Sequence, residues 1–391
     1  MGVRSRGPWH GCEGAHRVRN RPRLVLAGMG HAHLFVLEAA RRGKLPPCEL
    51  VVCTGDALHA YSGMLPGWLA GRYRADEVSL DVASLVRRAG GVLHGAAVAG
   101  LIPSSRHVTL SSGEVVPYDV CSIAVGSEPG GGSVPGVARH AVPVKPWASA
   151  VELAARIDAL RAAGGRVVVV GGGLAGVEVA LAIRARVARD AASVSLVAAS
   201  PRLATDRHPR LGARLALLCA RHQVQLRLGT TATRVSDTRI WLADGDGVSS
   251  EPADLVVWVG GASAPGWLHS TGLPLDGRGF LRVDEVLRSP ADPRIHAAGD
   301  VASLDSSPRT PKAGVYAVRM GPLLVRSLAH ALGSGVRPSA YRPQRRFLAL
   351  VNRGDGGALV SWGGLVAEGG WAMQWKDRID RRFMRRFTLD G

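Results

Sequence analysis

Two glycine-rich turns have the spacing needed to hold the pyrophosphates of bound dinucleotides. Gly28-Met29-Gly30 and Gly171-Gly172-Gly173-Leu174-Ala175-Gly176 each follow directly on a run of aliphatic residues. In such a strand-to-helix turn, glycine lets backbone N–H groups approach phosphate oxygens, and the following helix N-terminus adds partial positive charge. The sequence therefore predicts two nucleotide sites, one on Gly28 and Gly30 and one on Gly171, Gly173 and Gly176.

The second turn has the complete G-x-G-x-x-G spacing and opens a predicted helix that contains Glu178. In NAD-binding units, a carboxylate about 20 residues further on binds the adenosine ribose. Here the next predicted strand ends in Ala198-Ala199-Ser200, and Arg202 lies just beyond it. A missing carboxylate and a nearby guanidinium leave both NADH and NADPH open as co-substrates.

The first turn is less regular, because His33 stands where a third glycine would be. After the second predicted strand, Thr54-Gly55-Asp56 replaces the usual acidic residue. We assign His33 and Thr54 to this cofactor site together with the two glycines. His31 and His33 have no cysteine or carboxylate grouped with them in the sequence, so we predict no metal site.

A further element, Ala298-Gly299-Asp300, follows a short predicted strand and precedes a helix that begins near Lys312-Ala313-Gly314. An aspartate at this point can accept hydrogen bonds from a ribityl hydroxyl. The helix N-terminus can stabilise the negative charge that a flavin gains on reduction. We therefore place Gly299, Asp300, Lys312 and Ala313 at a flavin site, with capping of a turn as the other interpretation of Asp300.

Composition describes a globular chain of 391 residues, 46% hydrophobic, with a formal net charge of +18. No apolar run approaches the ~20 residues that a membrane-spanning helix requires. The five cysteines are scattered, and Cys48 and Cys53 would lie roughly 16 Å apart across a strand. These features favour a cytoplasmic protein without a redox dithiol, whose chemistry must rest on its cofactors.

The order of predicted elements indicates an α/β fold with two Rossmann-like dinucleotide-binding domains, the first discontinuous, and a short C-terminal α+β segment. Only two long stretches alternate strands with helices around a glycine turn. We predict a disordered basic tail over 1–22, an FAD-binding domain over 23–147 and 272–345, an NAD(P)-binding domain over 148–271, and the C-terminal segment over 346–391.

The C-terminus predicts a basic amphipathic helix. Its apolar residues recur every four positions and arginines lie largely between them. Such a helix fits peripheral contact with an anionic membrane face, the entry of an apolar acceptor, or docking on its own protein or a partner. The recurring apolar residues are Trp371, Trp375, Ile379, Phe383 and Phe387.

Four stretches carry a more specific likeness: Gly28-Met29-Gly30-His31-Ala32-His33, Tyr61-Ser62-Gly63-Met64-Leu65-Pro66-Gly67, the segment 312–319, and the segment 375–387. With both glycine turns present, the chain resembles the two-dinucleotide-binding flavoproteins, which include type II NADH dehydrogenases and sulfide:quinone oxidoreductases. The four stretches look most like the flavoprotein module fused ahead of selenide, water dikinase. We expect a stand-alone member of this kind, without the kinase domain.

The resemblance implies FAD in the discontinuous domain and a nicotinamide nucleotide on the second turn. It also implies that the Tyr61–Gly67 loop lies beside the isoalloxazine, so that Gly63 and Met64 join the cofactor site. The leading hypothesis is an FAD-dependent NAD(P)H oxidoreductase of the type II NADH dehydrogenase kind. It would pass hydride to flavin and electrons to a quinone-like or small-molecule acceptor.

Lys312, Lys145 and Glu178 are the ionisable residues that we expect to tune this chemistry. Two alternatives stay open: a flavoprotein that acts on a sulfur or selenium species with a vestigial nicotinamide site, and a flavin-bound interaction module. A homodimer and peripheral contact with the inner face of the membrane are further expectations. Nucleic acid is not an expected partner, because no recognition module accompanies the basic residues.

Overall fold

A computed structural model describes residues 21–187, 192–344 and 347–388. The predicted tail over 1–22 therefore lies almost wholly outside the described residues. In chain order the strands are β1 (Arg23–Ala27), β2 (Glu49–Cys53), β3 (Leu58–Ala60), β4 (Ser79–Asp81), β5 (Val92–His94), β6 (Val98–Ile102), β7 (His107–Leu110), β8 (Val115–Pro117), β9 (Val120–Ile123), β10 (Glu128–Pro129), β11 (Ala141–Pro143), β12 (Gly165–Val170), β13 (Ala192–Ala198), β14 (Val224–Leu228), β15 (Thr231–Val235), β16 (Arg239–Asp244), β17 (Gly247–Pro252), β18 (Leu255–Trp258), β19 (Ala262–Ser263), β20 (Leu281–Val283), β21 (Ile295–Ala297), β22 (Ala302–Leu304), β23 (Ala349–Asn352), β24 (Ala358–Trp362) and β25 (Leu365–Gly369).

The α-helices connect or cover these strands, and short 3-10 turns occur at Gly266–Ser270 and Gly299–Val301. In chain order the helices are α1 (His31–Arg41), α2 (Leu65–Leu69), α3 (Ala75–Val78), α4 (Val82–Arg88), α5 (Val137–His140), α6 (Trp147–Ala163), α7 (Leu174–Arg186), α8 (Pro209–Arg221), α9 (Gly314–Ala331) and α10 (Gly370–Thr388).

Two five-stranded parallel sheets form the frame of the molecule. Their strand orders are β21-β9-β1-β2-β5 and β11-β18-β12-β13-β14. In each sheet the central strand, β1 or β12, leads into a glycine turn. One of its neighbours is the next strand of the same βαβ unit, β2 or β13, and the other, β9 or β18, comes from later in the chain. This is the topological switch point at which open α/β sheets bind ligands.

The pairing of β21 with β9 shows that the chain returns to the first sheet after completing the second. The predicted α/β class is thereby confirmed, together with the discontinuity of the first sheet. The exact domain boundaries stay a prediction. The two chain connections between the sheets run side by side as β10 and β19, which pair antiparallel.

The strands of both sheets are almost continuously apolar because both faces of each sheet are covered. In the second sheet, α6, α7 and α8 cover one face, and β15 and β16 pack on the other. Val167 and Val169 of β12 are at most 1% exposed, as are Leu24 and Leu26 of β1. Helix α1 packs against α9 on the first sheet, and α7 lies over the second. Three-stranded antiparallel units, β6-β7-β8 and β15-β16-β17, extend the two domains.

The C-terminal segment consists of the antiparallel sheet β23-β24-β25 and helix α10. The predicted apolar ridge on α10 does not stay on one face. Four residues exceed one helical turn by about 40°, so residues spaced by four rotate around the axis. Trp371, Trp375 and Ile379 are 40–52% exposed, whereas Phe387 at the other end is buried.

Candidate functional site

The first glycine turn lies at the carboxyl end of β1, where β9 runs close beside it. Gly28 has a φ of +87°, and a Cβ there would stand 2.7 Å from Val125 Cα. A Cβ on Gly30 would stand 2.5 Å from the carbonyl oxygen of Ala124, which accepts a hydrogen bond from the Gly30 N–H. Both glycines are therefore required by the neighbouring backbone.

His33 supports this turn from beneath. The ring is fully buried, its Nδ1 lies 2.7 Å from the carbonyl oxygen of Gly28, and its Nε2 lies 2.9 Å from the Ser122 hydroxyl. Burial lowers the pKa of His33 to about 4, so the ring is neutral at physiological pH. Because Gly28 O can only accept, Nδ1–H donates to it and Nε2 accepts from Ser122. Both nitrogens are used by the protein, so His33 holds the turn in place and has no ring nitrogen left for a cofactor.

In the second glycine turn, three of the four glycines are required by close contacts with neighbouring protein atoms. A Cβ on Gly171 would clash with Val259 O, one on Gly172 would approach Ala198 Cβ to 2.5 Å, and one on Gly176 would clash with Gly171 O. Gly173 differs from all three. Its φ of −75° suits any residue, and a Cβ there would meet no protein atom within 4 Å.

Gly173 thus leaves open space directly before the first turn of α7. No side chain caps this helix. An uncapped helix N-terminus beside open space fits the close approach of a phosphate. Beyond β13, Arg202 donates to the carbonyl oxygens of Thr205 and Arg207.

The Gly299–Asp300 element follows β21 as predicted, and Gly299 has a φ of +79°. The Asp300 carboxylate is partly buried and lies 3.5 Å from the Ser127 hydroxyl. Ala313 is the residue before α9, whose first turn has no side-chain cap. Asp300 and the exposed N–H groups of α9 are therefore suited to hydroxyl and anionic groups of a bound flavin.

Lys312 is held by the protein. Its ammonium donates to the carbonyl oxygen of Ala302 at 2.6 Å and lies 3.9 Å from the centre of the Phe280 ring. Burial, with a smaller contribution from Arg278, lowers the pKa of Lys312 to about 8. Its amine is therefore more easily deprotonated than that of an ordinary lysine.

A cluster of rings joins the start of α1, the Tyr61–Gly67 loop and α10, and its contacts were not predicted from the sequence. Tyr61 stacks on Phe383 with ring centres 4.4 Å apart, and the His31 and His59 rings meet edge to face at 4.8 Å. Ser62 lies 3.4 Å from His31 Nε2 and would be 3.1 Å from a Cβ on Gly314. The Tyr61–Gly67 loop therefore adjoins the start of α1 and the start of α9.

His59 carries the clearest unsatisfied group in this cluster. It is 7% exposed, and its Nε2 has no hydrogen-bond partner within the described part of the chain. Burial lowers the pKa of His59 to about 4, a backbone hydrogen bond with Met29 opposes the shift, and Lys145 adds to it. A buried nitrogen without a hydrogen-bond partner lowers the stability of the fold. A hydroxyl group of a bound ligand would supply the missing partner.

Gly63 and Met64 occupy the same loop in different environments. The carbonyl oxygen of Gly63 accepts from the Lys376 ammonium at 2.6 Å. Met64 has no exposed surface and packs in the core of the first domain. Thr54 is also buried, at the end of β2, with its hydroxyl accepting from the Asp56 N–H.

A buried polar cluster links this loop to both domains through α10. Lys376 also donates to Asp380 at 2.7 Å, and Asp380 in turn hydrogen-bonds Tyr61. Glu178 on α7 accepts from the backbone N–H of Asn352 at 2.7 Å. Burial raises the pKa of Glu178 to about 7, against the lowering effect of Lys376.

The three ionisable residues singled out from the sequence therefore have different surroundings. Glu178 belongs with Lys376 and Asp380, Lys145 is exposed and its charge acts on His31 and His59, and Lys312 sits against Phe280. Lys376 lies on the helix that the sequence predicts to be basic and amphipathic, yet it is 5% exposed. Its signal was the (i, i+4) spacing to Asp380 on one helix.

Other features bear on the chemistry. Cys48, Cys53, Cys121 and Cys219 carry free thiols, and Cys12 lies outside the described residues. Within the described ranges, no group of three or more histidine, cysteine or carboxylate side chains is placed to hold a metal ion. Among the described helices none is both long and apolar enough to cross a bilayer.

Comparisons with known proteins agree with this architecture. Residues 22–321 match the model of the family described as pyridine nucleotide-disulphide oxidoreductase. An NADH dehydrogenase-like protein of Mycobacterium tuberculosis is 29% identical over 298 residues, covering 72% of this chain and 73% of that protein. The demethylphylloquinone reductase of Synechocystis is 24% identical over 370 residues, covering 89% of each chain.

Among solved structures, the sulfide:quinone oxidoreductase of Aquifex aeolicus has the same fold, with a TM-score of 0.78 and 17% identity over 94% of this chain and 91% of that chain. A Plasmodium falciparum NDH2 solved with NADH has a TM-score of 0.71 and 14% identity, over 94% and 97%. These comparisons do not show the likeness to the module fused ahead of selenide, water dikinase, which stays a prediction.

Proposed function

Because the chain belongs to the pyridine nucleotide-disulphide oxidoreductase family, we propose that it is an FAD-dependent oxidoreductase that takes electrons from NAD(P)H and passes them to a quinone-like acceptor. The observation that carries this proposal is the pair of glycine turns at the switch points of two parallel sheets, with Gly173 leaving space that the protein does not use.

The residues around the first turn suit FAD. When bound, the flavin would supply the two-electron chemistry. Gly28 and Gly30 let the chain approach a pyrophosphate, Asp300 accepts from a ribityl hydroxyl, and the unpartnered His59 Nε2 offers a further hydrogen bond. The uncapped start of α9 stabilises negative charge.

The buried polar cluster of Glu178 on α7 with Lys376 and Asp380 on α10 suits proton transfer to an acceptor. Reduction of a quinone by NAD(P)H consumes one hydride and one proton, so a group that holds a proton near neutral pH is needed. Glu178, with a pKa of about 7, meets this requirement. Lys376 and Asp380 keep it in a fixed electrostatic environment, and Lys376 positions the Gly63 carbonyl.

The test is direct. The purified chain is expected to be yellow, and NADH or NADPH in a stopped-flow instrument is expected to bleach the flavin absorbance under anaerobic conditions. A quinone analogue should then restore the absorbance. Protein that stays colourless after incubation with FAD, or flavin that neither nucleotide reduces, would refute the proposal.

We further propose that the protein contacts an anionic membrane face through α10 and the hairpin of β24 and β25, and the support is a set of exposed apolar side chains. Trp371 and Trp375 of α10 are 52% and 42% exposed, and Trp362 and Leu365 of the hairpin are 52% and 74% exposed. Arg382 is among the arginines that interrupt the ridge. Aromatic and basic side chains together are typical of interfacial binding.

This contact is best tested with point variants. A chain ending at Gly370 would also lose Lys376 and Asp380, which hold the site together. We expect the Trp371→Ser and Trp375→Ser double variant to lose sedimentation with phosphatidylglycerol vesicles. A Val248→Ser variant, altered at a residue 70% exposed on β17, is the control. Equal sedimentation of all three proteins would exclude this role of α10.

A further inference from the structure

A cavity of about 850 Å³ opens at the edge of the first sheet opposite the first glycine turn. Pro22, Asp119 and Arg294 line it, and these residues directly precede β1, β9 and β21. The first glycine turn lies at the carboxyl end of β1, and the Gly299–Asp300 element follows the carboxyl end of β21. The cavity is therefore on the far side of the domain from the redox site, and neither nucleotide turn contributes to it.

A buried histidine with an unsatisfied nitrogen lines this cavity. His296 on β21 is 1% exposed, and its Nδ1 finds no hydrogen-bond partner among the residues that the structure describes. A buried nitrogen without a partner is destabilising unless a ligand or water supplies one. A hydroxyl or amino group of a bound molecule would complete it.

The cavity wall contains arginine side chains. Arg288 and Arg294 line it, and each is backed by a carboxylate outside the lining: Asp284 lies 3.0 Å from Arg288, and Asp292 lies 2.8 Å from Arg294. An arginine has five N–H donors in a planar fork, so some of these donors remain free after it pairs with one carboxylate. The pairing fixes each guanidinium and leaves donors for a second anion.

Two further basic side chains at the rim have no ion pair with any described residue. Arg337 and His330 line the cavity and are exposed, and neither has an ion pair within residues 21–187, 192–344 and 347–388. Asp119, at the same rim, accepts from the backbone N–H of Arg23 at 2.7 Å. The side chains facing the cavity therefore favour an anion.

We propose that this cavity binds a small organic anion, with its phosphate or carboxylate among Arg288, Arg294 and Arg337 and a hydroxyl or amino group at His296. The volume is within the range of small-molecule sites, about 300–1,000 Å³. Apolar side chains such as Val286 and Leu332 complete the wall and accept the body of the molecule.

The experiment uses the full chain loaded with FAD and saturated with NAD⁺, and the probe is 8-anilinonaphthalene-1-sulfonate, which joins an anion and an N–H donor to an apolar body. Arg337→Glu is expected to weaken the probe's affinity at least tenfold. Arg342→Glu makes the same charge change at an exposed residue five positions away that does not line the cavity. It is expected to bind the probe like the wild type.

Two competitors identify the anionic group: AMP carries a phosphate and citrate carries carboxylates. Displacement of the probe by either one in the wild type, but not in Arg337→Glu, supports the proposal. Equal probe affinity in the two arginine variants, or displacement by neither compound, would overturn it. Flavin reduction by NADH is expected to stay unchanged in Arg337→Glu, so this outcome is independent of the proposed redox function.

Discussion

Replacing Gly173 by alanine is expected to weaken nucleotide binding without changing the stability of the fold. Gly173 precedes α7 with an ordinary φ, and a Cβ there meets no protein atom within 4 Å. Alanine in place of glycine at a helix N-cap costs up to about 1 kcal/mol, and the lower entropy of the unfolded chain returns about 0.4–1 kcal/mol. We therefore expect a melting temperature within about 2 °C of the wild type.

The same methyl group would occupy the space into which the pyrophosphate of a nicotinamide nucleotide must come. Loss of one hydrogen bond to a charged phosphate costs about 1.5–3 kcal/mol, which corresponds to about 10- to 100-fold weaker binding. The assay is the dependence of stopped-flow flavin reduction on NADH and NADPH concentration. FAD content should not change.

The matched control is Gly266→Ala, which also adds a methyl group to open space at the start of a short helical turn. It should leave both stability and nucleotide affinity unchanged. An unaltered half-saturating concentration of NADH and NADPH in Gly173→Ala would refute the assignment of the second turn. A large loss of stability in the same variant would show that the space is needed by the fold.

Three further predictions concern buried polar groups. His59→Phe is expected to weaken FAD binding by about 3- to 10-fold because one hydrogen bond is lost. The affinity is measured by the quenching of flavin fluorescence when apoprotein is titrated. His59→Gln should retain most of the affinity, and full affinity in His59→Phe would argue against a hydrogen bond between His59 and FAD. The folded-state pKa of Glu178 is about 7, above its usual 4.5, so between these two pH values the folded protein binds a proton that the unfolded chain has released. Stability therefore falls by up to about 3 kcal/mol as pH rises from 4.5 to 7. Urea unfolding at pH 5 and pH 8 should show no such fall in Glu178→Gln, and an identical pH slope in the variant would contradict the prediction. Lys376→Met leaves the Asp380 carboxylate buried without its cation, which lowers the unfolding free energy by about 3–5 kcal/mol. Adding Asp380→Asn should restore part of the lost stability. A Lys376→Met protein as stable as the wild type would disprove the pairing.

The architecture could be predicted because its signals are local. A glycine turn after an aliphatic strand specifies a strand, a helix and their connection in about 30 residues. The return of the chain to the first sheet was predicted from Ala298-Gly299-Asp300, and the pairing of β21 with β9 confirms it.

The chemistry of the site was harder to predict because it depends on contacts between distant parts of the chain. Lys376 and Gly63 are 313 positions apart in the sequence, so no local pattern joins them. The apolar ridge of α10 was predicted as one face because its spacing of four was treated as a full turn. His33 could be recognised as a substitution in the glycine pattern, but its bond to Ser122 depends on β9 lying next to β1.

The separation of the first sheet into two stretches of chain has a consequence for biosynthesis. Proteins are made at about 5–20 residues per second, and domains usually fold as they emerge from the ribosome, the earlier one first. Here β21 joins its sheet only after every strand of the second sheet has been translated. The later-encoded unit can therefore complete its folding before the earlier one, and the proposed flavin site is finished only when α10, which follows all of these strands in the chain, has packed against it.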